Sequence, residues 1–101
     1  MLTLPIKRKW FDMILSGEKT EEYRERTEYY RKRLANLFST ESRVATDKRK
    51  IAFRNGYNHT SPTFVAVCTW DIGTGKEEWG AEKGKEYNRI HIIAITERRN
   101  C

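Results

Sequence analysis

Apolar positions along this chain switch between two periods, and the switches divide it into elements. Leu2, Leu4 and Ile6 alternate with Thr3 and Pro5, the period of a strand, and Pro5 confines that strand to a sheet edge or to its own end. From Lys9 to Ser16, the residues Trp10, Phe11, Met13, Ile14 and Leu15 take helical spacing, and Gly17 stands where a left-handed residue ends a helix. Lys19 to Arg26 alternates again. As a strand it sets Thr20, Glu22 and Arg24 on one face and Lys19, Glu21 and Tyr23 on the other. A Glu-rich run has poor strand propensity, so packing must impose that conformation. Tyr30, Leu34, Leu37 and Phe38 then form the stripe of an amphipathic helix over Glu28 to Phe38, with Arg31, Lys32 and Arg33 toward water.

Residues 39 to 50 are polar and poorly periodic, which predicts a mobile loop. Three strands are expected after it: Lys50 to Arg54, closed by a tight Asn55-Gly56 turn, then Thr63 to Asp71 and Asn88 to Thr96. Between the last two, the glycine-punctuated segment Gly73 to Gly80 reads as a loop suited to function. The order strand, helix, strand, helix, strands predicts an α+β fold: a small, strongly curved sheet or β-barrel with two flanking helices. Parallel α/β winding is disfavoured, because the late connections are too short for helical crossovers.

A chain of 101 residues has room for one core, so a single domain over residues 1–101 is expected. Hydrophobic residues are 38% and charged residues 34% of the chain, a wet balance that twelve aromatic residues and the clear periodicity rescue from disorder. The formal charge of +6 favours a polyanionic partner, nucleic acid or a phosphorylated ligand, though it also serves plain solubility. Cys68 sits in the apolar run Phe64 to Trp70 as a core thiol and Cys101 is terminal. Two cysteines make no disulfide scaffold, and no Cys/His spacing suits zinc, so neither a metal nor another cofactor is expected. No stretch has the length of a membrane span or the form of a signal peptide, which predicts a soluble, cytoplasmic protein with no membrane partner.

The pattern Gly17-x-Lys19-x-x-Glu22-x-Arg24, directly after a capped helix and ahead of a β-rich half, resembles the signature of the ASCH domain family within the PUA-like superfamily. The likeness in element order covers nearly the whole chain and is closest over Thr3 to Arg24. It implies a β-barrel with a cleft into which the motif projects, and a role in binding RNA or modified nucleotides. Some relatives are implied to be enzymes, including an amidohydrolase acting on acetylated cytidine and a proposed ribonuclease. The amidohydrolase type carries a Lys followed three residues later by a Thr nucleophile. Lys19 matches that Lys, but Glu22 occupies the threonine position, so the hydroxyl is missing unless Thr20 turns into the same cleft.

Chemistry at these positions has ordinary alternatives. Glu22 and Arg24 form either a structural ion pair or a guanidinium-oriented carboxylate that holds ligand, and Lys19 is either a solvated surface lysine or, if burial lowers its pKa, a proton donor or base. Arg54, Asn55 and Tyr57 offer phosphate, base-edge and stacking contacts, while Asn55-Gly56 alone reads as a turn. Glu78 and Trp79 either line a cleft opposite the motif or pack as a lid, with Tyr87 a weaker candidate; Trp10 and Trp70 read as core. His59 and His91 have no visible partner, and Gly73-Thr74-Gly75-Lys76 lacks the spacing of a phosphate loop. The leading expectation is a binding module in which Lys19, Arg24 and Arg54 meet phosphate while Glu22 and Asn55 meet a base or sugar. The alternative is a small metal-independent hydrolase of modified nucleosides or RNA with Lys19 and Glu22 as the proton-transfer pair. A protein-interaction adaptor is the third class.

Overall fold

The computed structural model describes residues 1–38 and 44–101, with the side chains of residues 44–46 outside the description. The elements in chain order are β1 (Thr3–Pro5), α1 (Arg8–Leu15), β2 (Glu21–Arg24), α2 (Glu28–Phe38), β3 (Val44–Arg54), β4 (Thr63–Thr74), a 3-10 turn (Glu77–Trp79) and β5 (Glu86–Arg99). The strands form one mixed sheet in the order β1-β3-β4-β5-β2. All neighbours are antiparallel except β1 and β3. No pairing among the described residues joins β1 to β2, so the α+β class and its two helices stand, but the sheet is open where a barrel was one of the expected forms.

Alternation on β4 explains the core. Phe64, Ala66, Cys68 and Trp70 point to one face and join Leu4, Ile51, Phe53 and Ile90 from neighbouring strands. Both helices cover that face: Phe11 of α1 lies 5.1 Å from Phe64, and Phe38 of α2 lies 5.8 Å from Trp70, ring centre to ring centre. Cys68 is fully buried in this layer, which pushes its thiol pKa up from 9.0 to about 12. The stripe read on α2 is correct, since Leu34 and Phe38 are buried and Arg31, Lys32 and Arg33 are exposed.

Three expectations need correction. The first seven residues of β3, 44–50, belong to a strand rather than to a mobile loop; residues 39–43 lie outside the described residues. Their ladder partners on the long β4 supply the backbone pairing that polar side chains do not signal, with a register shift between Ala45 and Arg49. Asn55-Gly56 is not a two-residue hairpin turn. It opens a longer connection closed by the Asn55 N–H on the Pro62 carbonyl (2.9 Å). The strand expected over Lys19 to Arg26 is only Glu21–Arg24, because the chain after Gly17 is still turning. Pro5 does sit on an edge strand, as its missing N–H requires.

Candidate ligand-binding cleft

The turn after α1 decides where Lys19 goes. Gly17 holds φ +85°, a left-handed conformation that costs glycine little, and the reversed chain is pinned by the Lys19 N–H on the Met13 carbonyl at 3.0 Å. Lys19 therefore precedes the strand, and strand alternation does not govern its side chain. It folds inward to meet Glu22, on the face where alternation from β2 had set Glu22 and Arg24 but not Lys19.

The result is a buried ionic triad. Lys19 is 1% exposed and Glu22 5%. Lys19 Nζ donates to Glu22 Oε1 at 2.6 Å, and Arg24 Nη2 donates to Glu22 Oε2 at 2.8 Å. Arg24 Nη2 also donates to the Pro5 carbonyl (2.6 Å) and Nη1 to the Tyr30 hydroxyl (3.2 Å), tying β2 to β1 and α2. Its Nε is buried with no hydrogen-bond partner among the described residues. The Trp10 ring lies 4.3 Å from Lys19 Nζ. Burial lowers the Lys19 pKa from its ordinary 10.5, and the Glu22 carboxylate offsets only part of that effect. Two cations face one carboxylate, so the fully ionised triad carries a net charge of +1 (+2 − 1).

These groups form the floor of a cleft of about 730 Å³. Its walls are aromatic: Trp10 from α1, Tyr30 from α2, Tyr57 from the β3–β4 connection, and Trp79 and Tyr87 from beyond β4. Trp79 is almost fully buried and Tyr57 is 90% exposed, so the walls grade from fixed to free. Gly80, at φ +98°, lets the chain approach Trp10; a Cβ there would stand 3.0 Å from the indole.

Of the residues singled out by sequence, Lys19, Glu22, Arg24, Asn55, Tyr57 and Trp79 meet in this cleft, and Tyr87 joins them. Thr20, Arg54 and Glu78 do not line it. Thr20 is exposed and gives its carbonyl to the Ile92 N–H (2.9 Å), so its hydroxyl is not the missing nucleophile. Arg54 turns back to Thr63 Oγ1 (3.4 Å) and Glu78 is exposed on the 3-10 turn. Asn55 Nδ2 donates to the Ile6 carbonyl (3.0 Å), which fixes this wall to the end of β1.

Sequence reasoning assigned Trp10 to the core and passed over Tyr30. Both are half-buried at the ends of apolar helical stripes, and an amphipathic ring at a stripe's end was the available signal. It also gave His91 no partner. On the opposite sheet face, His91 Nε2 is 2.9 Å from Asp71 Oδ1 and Nδ1 is 3.7 Å from Glu21 Oε2. Arg89 grips the same Asp71 through two 2.7 Å bonds. Burial pushes the Asp71 pKa up, but these bonds outweigh it and hold the carboxyl below its usual value. Tyr23 connects the two faces. Its hydroxyl donates to Glu21 (2.8 Å) and accepts the Lys76 N–H (3.0 Å), and burial raises its pKa.

Among the described residues, no group of three or more His, Cys, Asp or Glu side chains is placed to hold a metal ion, and no helix is long and apolar enough to cross a membrane. No protein-family model matches the chain, and neither a curated protein nor a solved structure matches it significantly.

Proposed function

We propose that this chain is an ASCH-type, PUA-like domain that binds RNA or a nucleotide in the cleft above Lys19, Glu22 and Arg24. One observation carries the reading: an ionic triad, positive overall, with Lys19 and Glu22 nearly solvent-free and Arg24 partly buried, at the floor of an aromatic-walled cleft. Burying three charges is costly, and a hydrophobic replacement often stabilises a fold more, so such a group suits recognition better than stability. Aromatic rings give every base a face to stack on. Because Arg54 faces away, the phosphate contacts fall to exposed Lys7 at the rim and to the neighbouring Lys76, which sits 4.4 Å over the Trp79 ring. The cytoplasm is the compartment this reading implies, where both thiols stay reduced.

The test is fluorescence anisotropy with a labelled single-stranded RNA. If Lys7 and Lys76 neutralise two phosphates, the slope of log affinity against log salt is about −1.4, a loss of roughly sevenfold between 50 and 200 mM. No binding at 50 mM to any single-stranded or structured RNA contradicts the proposal. The hydrolase alternative rests on the 2.6 Å Lys19–Glu22 contact as a proton-transfer pair. With Thr20 outside the cleft it needs water as the nucleophile. Turnover of acylated nucleosides that is abolished in folded Glu22→Gln would favour it.

A further inference from the structure

The triad's hydrogen bonds leave an imbalance. Each Glu22 oxygen accepts one bond, from Lys19 or from Arg24. Lys19 Nζ has one acceptor among the described residues, Glu22 Oε1, while an ammonium carries three N–H groups. Arg24 Nε–H has none. The floor thus holds more uncommitted donors than a single ring nitrogen accepts, and those donors are buried, where a missing partner costs most. We infer that the ligand group seated on this floor is a keto base, uracil or guanine, held through its exocyclic oxygen by Lys19 and Arg24 and selected against adenine. The inference rests on the proposed nucleotide-binding reading of the cleft.

A carbonyl oxygen has two lone pairs and takes both donors at once. The lactam N–H beside it in uracil and guanine meets a remaining lone pair of Glu22, whose carboxylate stands next to the ammonium. Adenine can offer its amine to Glu22 and its ring N1 to the floor, but that single lone pair serves one donor and leaves the other unpaired. Sites built to hydrogen-bond a particular group reject an analogue lacking it strongly, because their own polar atoms are then left unpaired. Stacking alone predicts the opposite order, since the purine offers the larger ring to Trp10 and Trp79. Base preference therefore separates the two effects.

The experiment titrates uridine and adenosine 5′-monophosphates into the full chain and reads tryptophan fluorescence, with Trp10 and Trp79 in the cleft and Trp70 in the core as background. Sugar and phosphate are shared, so the base decides. The expected result is half-saturation by the uridine nucleotide at a concentration at least tenfold lower. Lys19→Met brings the two together if it folds, and Arg24→Lys, which keeps the charge but loses the Nε donor, narrows the gap independently. Adenosine monophosphate binding as tightly as the uridine nucleotide overturns the inference and leaves the RNA-binding reading intact. RNA binding with neither mononucleotide bound does the same. No binding of either nucleotide or of RNA overturns both.

Discussion

Glu22→Gln removes the one negative charge from the cleft floor and almost nothing of its shape. In the wild type both carboxylate oxygens are occupied, by Lys19 at 2.6 Å and Arg24 at 2.8 Å. An amide offers one oxygen, so one cation loses its partner and faces an NH₂ donor instead. Removing one member of a buried ion pair costs about 3–5 kcal/mol. Against a domain stability of about 5–15 kcal/mol, that is a large fraction, and at about 4 °C or more per kcal/mol it lowers Tm by more than about 12 °C. Release of the Lys19 proton sets a ceiling on the loss, because burial already lowers that pKa and the variant lacks the carboxylate that opposes the shift. The sign follows: a lysine with a depressed folded pKa binds fewer protons folded than unfolded, so stability rises with pH below 10.5. The defect is accordingly larger at pH 7 than at pH 10, where the pH approaches the unfolded value of 10.5. Urea unfolding followed by far-UV circular dichroism at both pH values measures it. Lys19→Met/Glu22→Gln gives the control, because the amide oxygen then serves Arg24 alone and methionine packs beside Trp10. That double variant should be at least about 1 kcal/mol more stable than the single one. A single variant within about 1 kcal/mol of wild type, or a double variant no better than the single, refutes the reasoning, since about 1 kcal/mol falls well below the 3–5 kcal/mol argued for a broken buried pair.

The remaining expectations concern the walls and the core. Gly75→Ala places a Cβ 2.6 Å from the Tyr23 ring, which its two hydroxyl bonds hold in place, and 2.8 Å from Ala81. A loss of about 1–3 kcal/mol is expected from the overpacking, with weakened ligand binding as the segment carrying Trp79 shifts; unchanged stability and binding would show that Tyr23 is not fixed. Cys68 has its folded pKa raised from 9.0 to about 12, so its contribution is complete below pH 9 and lost as pH rises from 9 toward 12. Between pH 7.5 and 10.5 this costs the wild type about 2 kcal/mol that Cys68→Ala does not lose, measured as the difference between the two proteins' urea midpoints at each pH. Arg54→Ala leaves RNA affinity within about twofold while Lys7→Ala lowers it, since only Lys7 lines the cleft; anisotropy titrations with the same RNA distinguish them, and the reverse order would return the phosphate contact to Arg54.

Local pattern carried the elements whose packing is local. The α2 stripe, the Gly17 stop and the β4 core alternation are all consequences of a period meeting one buried face. Lys19 shows where that logic ends. A period of two applies only inside a strand, and the Gly17 turn delays the strand to Glu21, so a lysine assigned to the face opposite Glu22 became its nearest partner. Residues 44–50 failed in the other direction, because backbone pairing to a long neighbour needs no apolar pattern. Asp71 and His91 are brought together by the β4–β5 register, which no local window contains. The cleft was legible at its floor, in the spacing of Lys19, Glu22 and Arg24. Its aromatic walls come from five separate segments and were legible only in part.

The most direct test of the account is a ¹⁵N–¹H correlation spectrum of the protein with and without a single-stranded uridine-rich RNA at low salt. The Trp10 and Trp79 indole signals and the amides of Lys19, Tyr23, Arg24 and Tyr87 should shift together and saturate, while the Trp70 indole, bonded to Asn88 in the core at 3.1 Å, stays in place. Shifts confined to the opposite sheet face around Asp71, Arg89 and His91, or no shifts at all, would contradict a ligand seated above Lys19, Glu22 and Arg24.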